Sequence, residues 1–284
     1  MRALHTAAPG KVNLALFLGP PRPDGRHELA TLVQAISLVD DVRLEPGGAA
    51  RDEVACPVVE GENLAARALA AYRQATGWDG PPVRLTIDKR VPVAAGMGGG
   101  SSDAAAALRL AREAAGGEAA ALLELAAALG SDVPALLEPG LVLATGAGER
   151  VRRLEPLAPF AVLVLPSPHR LSTGEVYREA DRMGLPRGGP DLEEHARGLE
   201  AAARPGAELP LELLVNDLEP AARSLCPPID AALADARAAG AAAALVSGSG
   251  PTVFGLFARR EDAAAAAAEL AERHPGALAV DPLT

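Results

Sequence analysis

The chain has 284 residues, 49% hydrophobic, 23% charged and 2% aromatic, with 29 Gly, 25 Pro, 2 Cys and a formal net charge of −10. That composition excludes a disordered chain, and the length is ample to bury a core, in two domains or one large one. The acidic total and scarce rings argue against nonspecific nucleic-acid binding, while Cys56 and Cys226 form no CxxC pair, leave zinc fingers and disulfide scaffolds without support, and fit a reducing cytoplasm. No uninterrupted apolar run of about 18 residues occurs, so no membrane span is expected, and the order of the first residues is unlike a signal peptide. Positive charge is written as 25 Arg and only two Lys, Lys11 and Lys89, beside 63 Ala.

In chain order, residues 12–18 alternate as a strand, with Val12, Leu14, Leu16 and Leu18 on one face and Lys11, Asn13, Ala15 and Phe17 on the other. A Pro/Gly-rich turn at 19–28 precedes two expected strands, 32–38 and 42–45. Residues 63–75 have helical composition and end before Gly77, and 83–87 alternate as a strand before Lys89. A glycine-rich loop then passes into a long Ala/Leu/Arg helix starting near Ser101. A second helix, 118–129, stops at Gly130, and Ser131-Asp132-Val133-Pro134 opens a short one, placing Asp132 in its first turn. Strands near 141–144 and 151–154 complete an N-terminal domain, with 155–159 as the linker and residue 158 as its end. Beyond it, strands at 160–165, 243–246, 252–257 and an edge strand at 278–280 alternate with helices at 173–183, 192–203, 213–223, 229–239 and 261–274. The second half, 159–284, therefore reads as a sandwich of helices on a sheet.

The glycine loop carries the chemistry. Its spelling is Pro92-Val93-Ala94-Ala95-Gly96-Met97-Gly98-Gly99-Gly100-Ser101-Ser102. It is not a Walker loop, since Gly10-Lys11 is followed by Val12, and a dinucleotide fingerprint would need Gly where Ser101 stands. The nucleophile elbow GxSxG and the zinc motif HExxH are also absent, which removes hydrolase and metalloprotease readings. What remains is four glycines in five positions, two serines and a helix N-terminus whose N–H groups and dipole attract anions. A polyphosphate is the natural occupant; the bland alternative is a flexible turn with a Ser cap.

Three patches carry a resemblance to a known family: Pro9-Gly10-Lys11-Val12-Asn13-Leu14, residues 92–106, and Leu245-Val246-Ser247-Gly248-Ser249-Gly250-Pro251-Thr252-Val253-Phe254. In that order and spacing they resemble the GHMP kinases, named for galactokinase, homoserine kinase, mevalonate kinase and phosphomevalonate kinase. The resemblance implies an α+β, two-domain fold: an N-terminal domain like the second domain of ribosomal protein S5 and a ferredoxin-like C-terminal α/β sandwich. It also implies an ATP- and Mg2+-dependent kinase of a small-molecule alcohol. Asp24-Gly25-Arg26-His27, Asp88-Lys89-Arg90-Val91-Pro92 and Gly130-Ser131-Asp132-Val133-Pro134 resemble the branch acting on a cytidine diphosphate-linked methylerythritol, in isoprenoid-precursor synthesis. By resemblance, Asp132 takes the acceptor's hydroxyl proton and Lys11 stabilises charge on the moving γ-phosphoryl group. Residues 92–102 take the ATP phosphates, Asn63 and Lys89 lie on the adenine side, and Asn13, His27, Thr173 and Tyr177 serve the acceptor.

Each assignment has a plainer rival. Asp132 alone reads as a first-turn acid stabilising its own helix, Lys11 as a solvated strand residue, Lys89 as a strand-end charge, His27 as a turn residue and Tyr177 as helix core. The sequence also departs from the family pattern: Arg26 stands where an aromatic commonly flanks the cytosine, and Ala94 and Ala95 replace frequent glycines. Asn216-Asp217-Leu218-Glu219 reads as a helix cap. The alternatives in function are another GHMP kinase, of homoserine or mevalonate type, and a nonenzymatic nucleotide sensor on the same fold. Neither nucleic acid nor membrane is expected as a partner.

Overall fold

A computed structural model describes residues 2–59, 61–116 and 120–284. The chain forms two compact units, each assembled from separate stretches: Met1–Gly10, Leu38–Val93 and Gly98–Glu138 in the first, and Lys11–Ser37, Ala94–Met97 and Pro139–Thr284 in the second. Two long strands, β1 (Leu4–Pro21) and β2 (His27–Pro46), contribute to both. Two separate strands were expected in place of β2. It stays continuous because its partners change along its length: residues 29–34 pair antiparallel with β5 (Leu141–Gly146), and residues 41–46 with β4 (Val83–Asp88). Asp40 sits where the break was expected, but its Oδ1 accepts the backbone N–H groups of Arg90 and Val91, so no turn is needed to hydrate it.

In the first unit, β3 (Glu53–Ala55) pairs parallel with β4, and helices α1 (Leu64–Thr76) and α2 (Gly99–Ala115) pack on each other. Ala104, Ala105, Ala106 and Ala107 of α2 are completely buried with Ala65, Ala68, Leu69 and Tyr72 of α1 in one core. Methyl-sized side chains let the two backbones approach closely, so the alanine run is packing material. α1 ends at Gly77 in the left-handed conformation, as the Gly stop predicts. α3 (Ala120–Leu129) is described from Ala120; the expected start at Glu118 lies outside the described residues. α4 (Val133–Leu136) is a single turn, entirely buried, with Asp132 at its N-cap and not inside its first turn.

In the second unit, β5 also pairs with β6 (Arg150–Leu154). An antiparallel sheet follows in the order β10, β7, β9, β8, made of β7 (Ala161–Leu165), β8 (Ala243–Val246), β9 (Val253–Phe257) and β10 (Leu278–Val280). β10 lies at its edge, as expected. Helices α5 (Thr173–Arg182), α7 (Glu219–Leu225), α8 (Pro228–Ala238) and α9 (Arg260–Leu270) bury Val176, Ala221, Leu233 and Leu270 in the core with β7 and β9, and α6 (Gly189–Ala202) contacts β5. The expected helix 213–223 does not form as one piece. Val215 O accepts from Leu16 N at 2.7 Å and Asp217 N donates to Leu16 O at 2.9 Å, so this backbone is committed to β1 and α7 starts only at Glu219.

Candidate active site

The second unit gathers Lys11, Asn13 and residues 94–97 of the glycine segment. Lys11 and Asn13 share a face of β1, as alternation requires, and Lys11 Nζ donates to Asn13 Oδ1 at 2.7 Å. Asn13 Nδ2 donates to Thr31 Oγ1 at 2.8 Å, and that hydroxyl donates to Ala15 O at 2.6 Å. The chain of donors fixes the amide with its oxygen toward the lysine. Both side chains are almost fully buried, at 3% and 2% exposure, so Lys11 is not the solvated strand residue of the plainer reading. Lys11 N donates to Met97 O at 2.9 Å, which seats residues 94–97 beside β1.

The two glycine turns meet there. Ser247 Oγ donates to Gly96 O at 3.0 Å, and Gly96, at φ +75°, stands where a Cβ would come within 2.3 Å of Ser247 O. A Cβ on Gly248 would lie 3.1 Å from Lys11 Nζ and 3.2 Å from Asn13 Oδ1. Both positions therefore favour glycine twice over, for close approach and for a positive φ, +56° at Gly248. Asn216, expected in a helix cap, accepts Leu218 N on its Oδ1 at 3.0 Å just before α7 and also clamps this turn: its Nδ2 donates to Val246 O and Gly248 O at 2.8 and 2.7 Å. Ala94 holds φ +56°, the sole non-glycine residue with positive φ among the described residues, at a place where the family often has glycine.

His27 and Tyr177, expected to serve the same ligand, do come together. Their ring centroids are 5.3 Å apart with planes tilted by 46°, and His27 Nε2 meets Asp181 Oδ1 at 2.8 Å. Tyr177 and Asp181 are four residues apart on α5 and so face the same way. Thr173, at the start of α5, has its hydroxyl 3.1 Å from that of Ser249. Arg26 is bound to its own turn, with Nε and Nη2 donating to Asp24 Oδ2 at 3.1 and 2.9 Å.

The first unit holds the start of α2. Gly98 is its N-cap with no side-chain cap, leaving the first-turn amides of Gly99, Gly100 and Ser101 for another acceptor. Ser101 is half-buried; Ser102 Oγ and Asp103 Oδ1 are buried with no hydrogen-bond partner among the described residues. Lys89 is tied to this turn: its Nζ donates to Asp103 Oδ2 at 2.8 Å and to Asp40 Oδ2. Its side chain is only 5% exposed, so it is not a strand-end surface charge. Burial pushes the Asp103 carboxyl up to about 6 against the opposing pull of Lys89, with Asp40 adding repulsion. Burial alone would lower the Lys89 pKa, but Asp103 and Asp40 together raise it above its ordinary value. Asn63 caps α1, its Oδ1 accepting from Ala65 N at 2.8 Å. Asp132 makes no such cap bond to α4, so its carboxylate is not spent on the helix in that way.

Sequence reasoning missed Asp181, Thr31, Asp40 and Asp103. Asp181 had a signal, its helical spacing from Tyr177, and Asp103 directly follows the two serines; Thr31 and Asp40 had none. No cluster of three or more His, Cys, Asp or Glu side chains able to hold a metal ion exists among the described residues.

Comparison with known proteins decides the family. The family model for the GHMP kinases N terminal domain matches residues 63–140, and that for GHMP kinases C terminal matches 190–276. A 4-diphosphocytidyl-2-C-methyl-D-erythritol kinase of Anaeromyxobacter dehalogenans is 44% identical over 290 residues, covering 97% of this chain and 88% of its own. The chain belongs to the GHMP kinase family. A kinase of the same name from Streptomyces coelicolor is 45% identical, covering 86% of this chain and 84% of its own. The solved 4-(cytidine 5'-diphospho)-2C-methyl-D-erythritol kinase superposes with a TM-score of 0.79 at 34% identity, over 99% of this chain and 100% of that one. The GHMP kinase fold, α+β with N- and C-terminal domains, is thus the fold of this chain. The N-terminal match takes in Asn63, Lys89, residues 92–102 and Asp132, and the C-terminal match takes in the Ser247–Pro251 turn.

Proposed function

We infer that the protein is an ATP-dependent kinase that phosphorylates the 2-hydroxyl of 4-diphosphocytidyl-2-C-methyl-D-erythritol, an isoprenoid-precursor step outside the mevalonate route. The observation that carries this is the 44% identity to the relative of that name across 97% of the chain. ATP enters as its Mg2+ complex. Residues 92–102 take its phosphates, a role supported by the uncapped N-terminus of α2 and by glycines that leave the amides open. Mg2+ keeps much of its water shell and leans on substrate phosphates, so it needs no dedicated cage of side chains. Asn63 and Lys89 belong to the donor side, Lys89 through the first turn of α2 to which its ammonium is tied.

The bond that forms joins the acceptor oxygen to the γ-phosphorus; the bond that breaks releases ADP. Asp132 receives the hydroxyl proton, and Lys11, held by Asn13, stabilises charge on the transferring phosphoryl group. Asn13, His27, Thr173 and Tyr177 hold the acceptor, a cytidine nucleotide, with the Tyr177 ring as its stacking surface. Two unpaired, buried cysteines accord with a cytoplasmic location.

Purified protein assayed for ADP release with the cytidine diphosphate substrate, homoserine and mevalonate tests the reading. Turnover with the first alone is expected. Turnover with homoserine or mevalonate in its place would overturn the substrate, and ATP binding without turnover of any alcohol would point to a sensor.

A further inference from the structure

We propose that Arg109 is a positioning residue for Asp132, acting through the one-turn helix α4; this rests on the reading of Asp132 as the base. A single helical turn cannot hold itself. Nucleation costs more than one turn's hydrogen bonds return, and the backbone bonds at the ends of α4 are long, Val133 N to Gly130 O at 3.2 Å and Leu137 N to Pro134 O at 3.4 Å. Its stronger tether comes from α2: Arg109 Nη1 donates to Leu136 O at 2.9 Å, satisfying the carbonyl at the end of the turn. The same guanidinium reaches β1, with Nη2 donating to Ala7 O at 2.7 Å and to Thr6 Oγ1 at 3.4 Å.

Arg109 thus joins α2, β1 and the C-terminal end of α4, and Asp132 stands at the N-cap position at the other end of that turn. A rigid planar fork is suited to this, because its N–H groups are set at fixed angles and a flexible ammonium's are not. No carboxylate lies within ion-pairing distance of Arg109 among the described residues, so the cation is held by neutral oxygens, two carbonyls and the Thr6 hydroxyl. Burial pulls its pKa down to about 10, and Arg112 adds repulsion. Arg109 is half-buried, and a partly desolvated cation without a counterion is a cost that packing alone does not explain. Four buried residues, Val133, Pro134, Ala135 and Leu136, already pack α4 into the core, yet packing leaves rotation and sliding of one turn weakly specified. The fork removes that freedom.

The test measures kcat and both KM values for Arg109→Met and Arg109→Lys, with melting curves alongside. Arg109→Met is expected to lower kcat about 10- to 100-fold, the scale of a small misplacement at the reacting centre, with both KM values within about twofold. Arg109→Lys, which keeps charge and one donor, is expected to fall between it and the parent, and serves if the Met variant does not fold. In Asp132→Asn, Arg109→Met is expected to add no further loss to the residual single-turnover rate, because both changes act on one group. A raised KM with kcat intact, or an equal loss in the Asp132→Asn background, would overturn the proposal. Full turnover by Asp132→Asn itself would sink the base assignment instead.

Discussion

The two lysines of this chain sit in different units, and each is fixed by a side-chain acceptor of its own kind. Lys89 lies between two carboxylates, Asp40 and Asp103, so its charge is consumed and the group of three carries a net negative charge when all are ionised. Lys11 is anchored by the neutral oxygen of Asn13, which supplies position and adds no charge. Burial is alike, at 5% exposure for the Lys89 side chain and 3% for Lys11. Lys89 is thereby tied to the first turn of α2, while Asn13 fixes where the Lys11 ammonium sits.

The comparison can be broken by substitution. Lys89→Met leaves Asp40 and Asp103 facing each other without a cation, and removing one partner of a buried ion pair costs about 3–5 kcal/mol. The expected outcome is a large drop in melting temperature, reversed in part by adding Asp103→Asn; an unchanged melting curve would show that the tie carries nothing. Lys11→Arg keeps a positive charge but puts a wide fork where Gly248 already leaves little room. Its melting point is expected to shift modestly while kcat falls about 100-fold, roughly 2.7 kcal/mol in the barrier. Near-normal turnover would refute the role given to Lys11.

A titration sharpens the contrast further. The Asp103 carboxyl rises from 3.8 to about 6 in the folded protein, so the native state binds this proton more tightly than the unfolded chain. Stability from the group is whole below about pH 3.8 and is lost as pH climbs through about 6. Asp103→Asn removes that loss. Its stability relative to the parent is expected to increase between pH 4 and pH 6.5 by on the order of 1–3 kcal/mol and then level off, read by denaturant midpoints. A difference independent of pH would remove Asp103 as the titrating group.

Much of the site was legible because its signals are local. The alternation of 11–18 put Lys11 and Asn13 on one face, and the spelling of 92–102 announced a glycine-rich turn that opens α2. The Gly stop after α1 and the edge strand 278–280 came from the same kind of reading. The failures share a cause. The two strands read from the sequence, 32–38 and 42–45, are one unbroken β2, because Arg90, Val91 and Lys89, about 50 positions away, satisfy the Asp40 carboxylate between them. The helix expected at 213–223 lost its first half to backbone bonds with Leu16, about 200 positions earlier.

By itself the sequence determined the element types, the glycine loop and the family, since periodicity, turn residues and motif spelling act over a few neighbouring residues. It also singled out two lysines in a chain that otherwise uses arginine. Only the tertiary structure decided how each lysine is held, because the Lys89 acceptors come from β2 and the first turn of α2, and the Thr31 hydroxyl that orients Asn13 toward Lys11 comes from β2. Partners distant in sequence set the charge, burial and orientation of a side chain, and no local pattern records them.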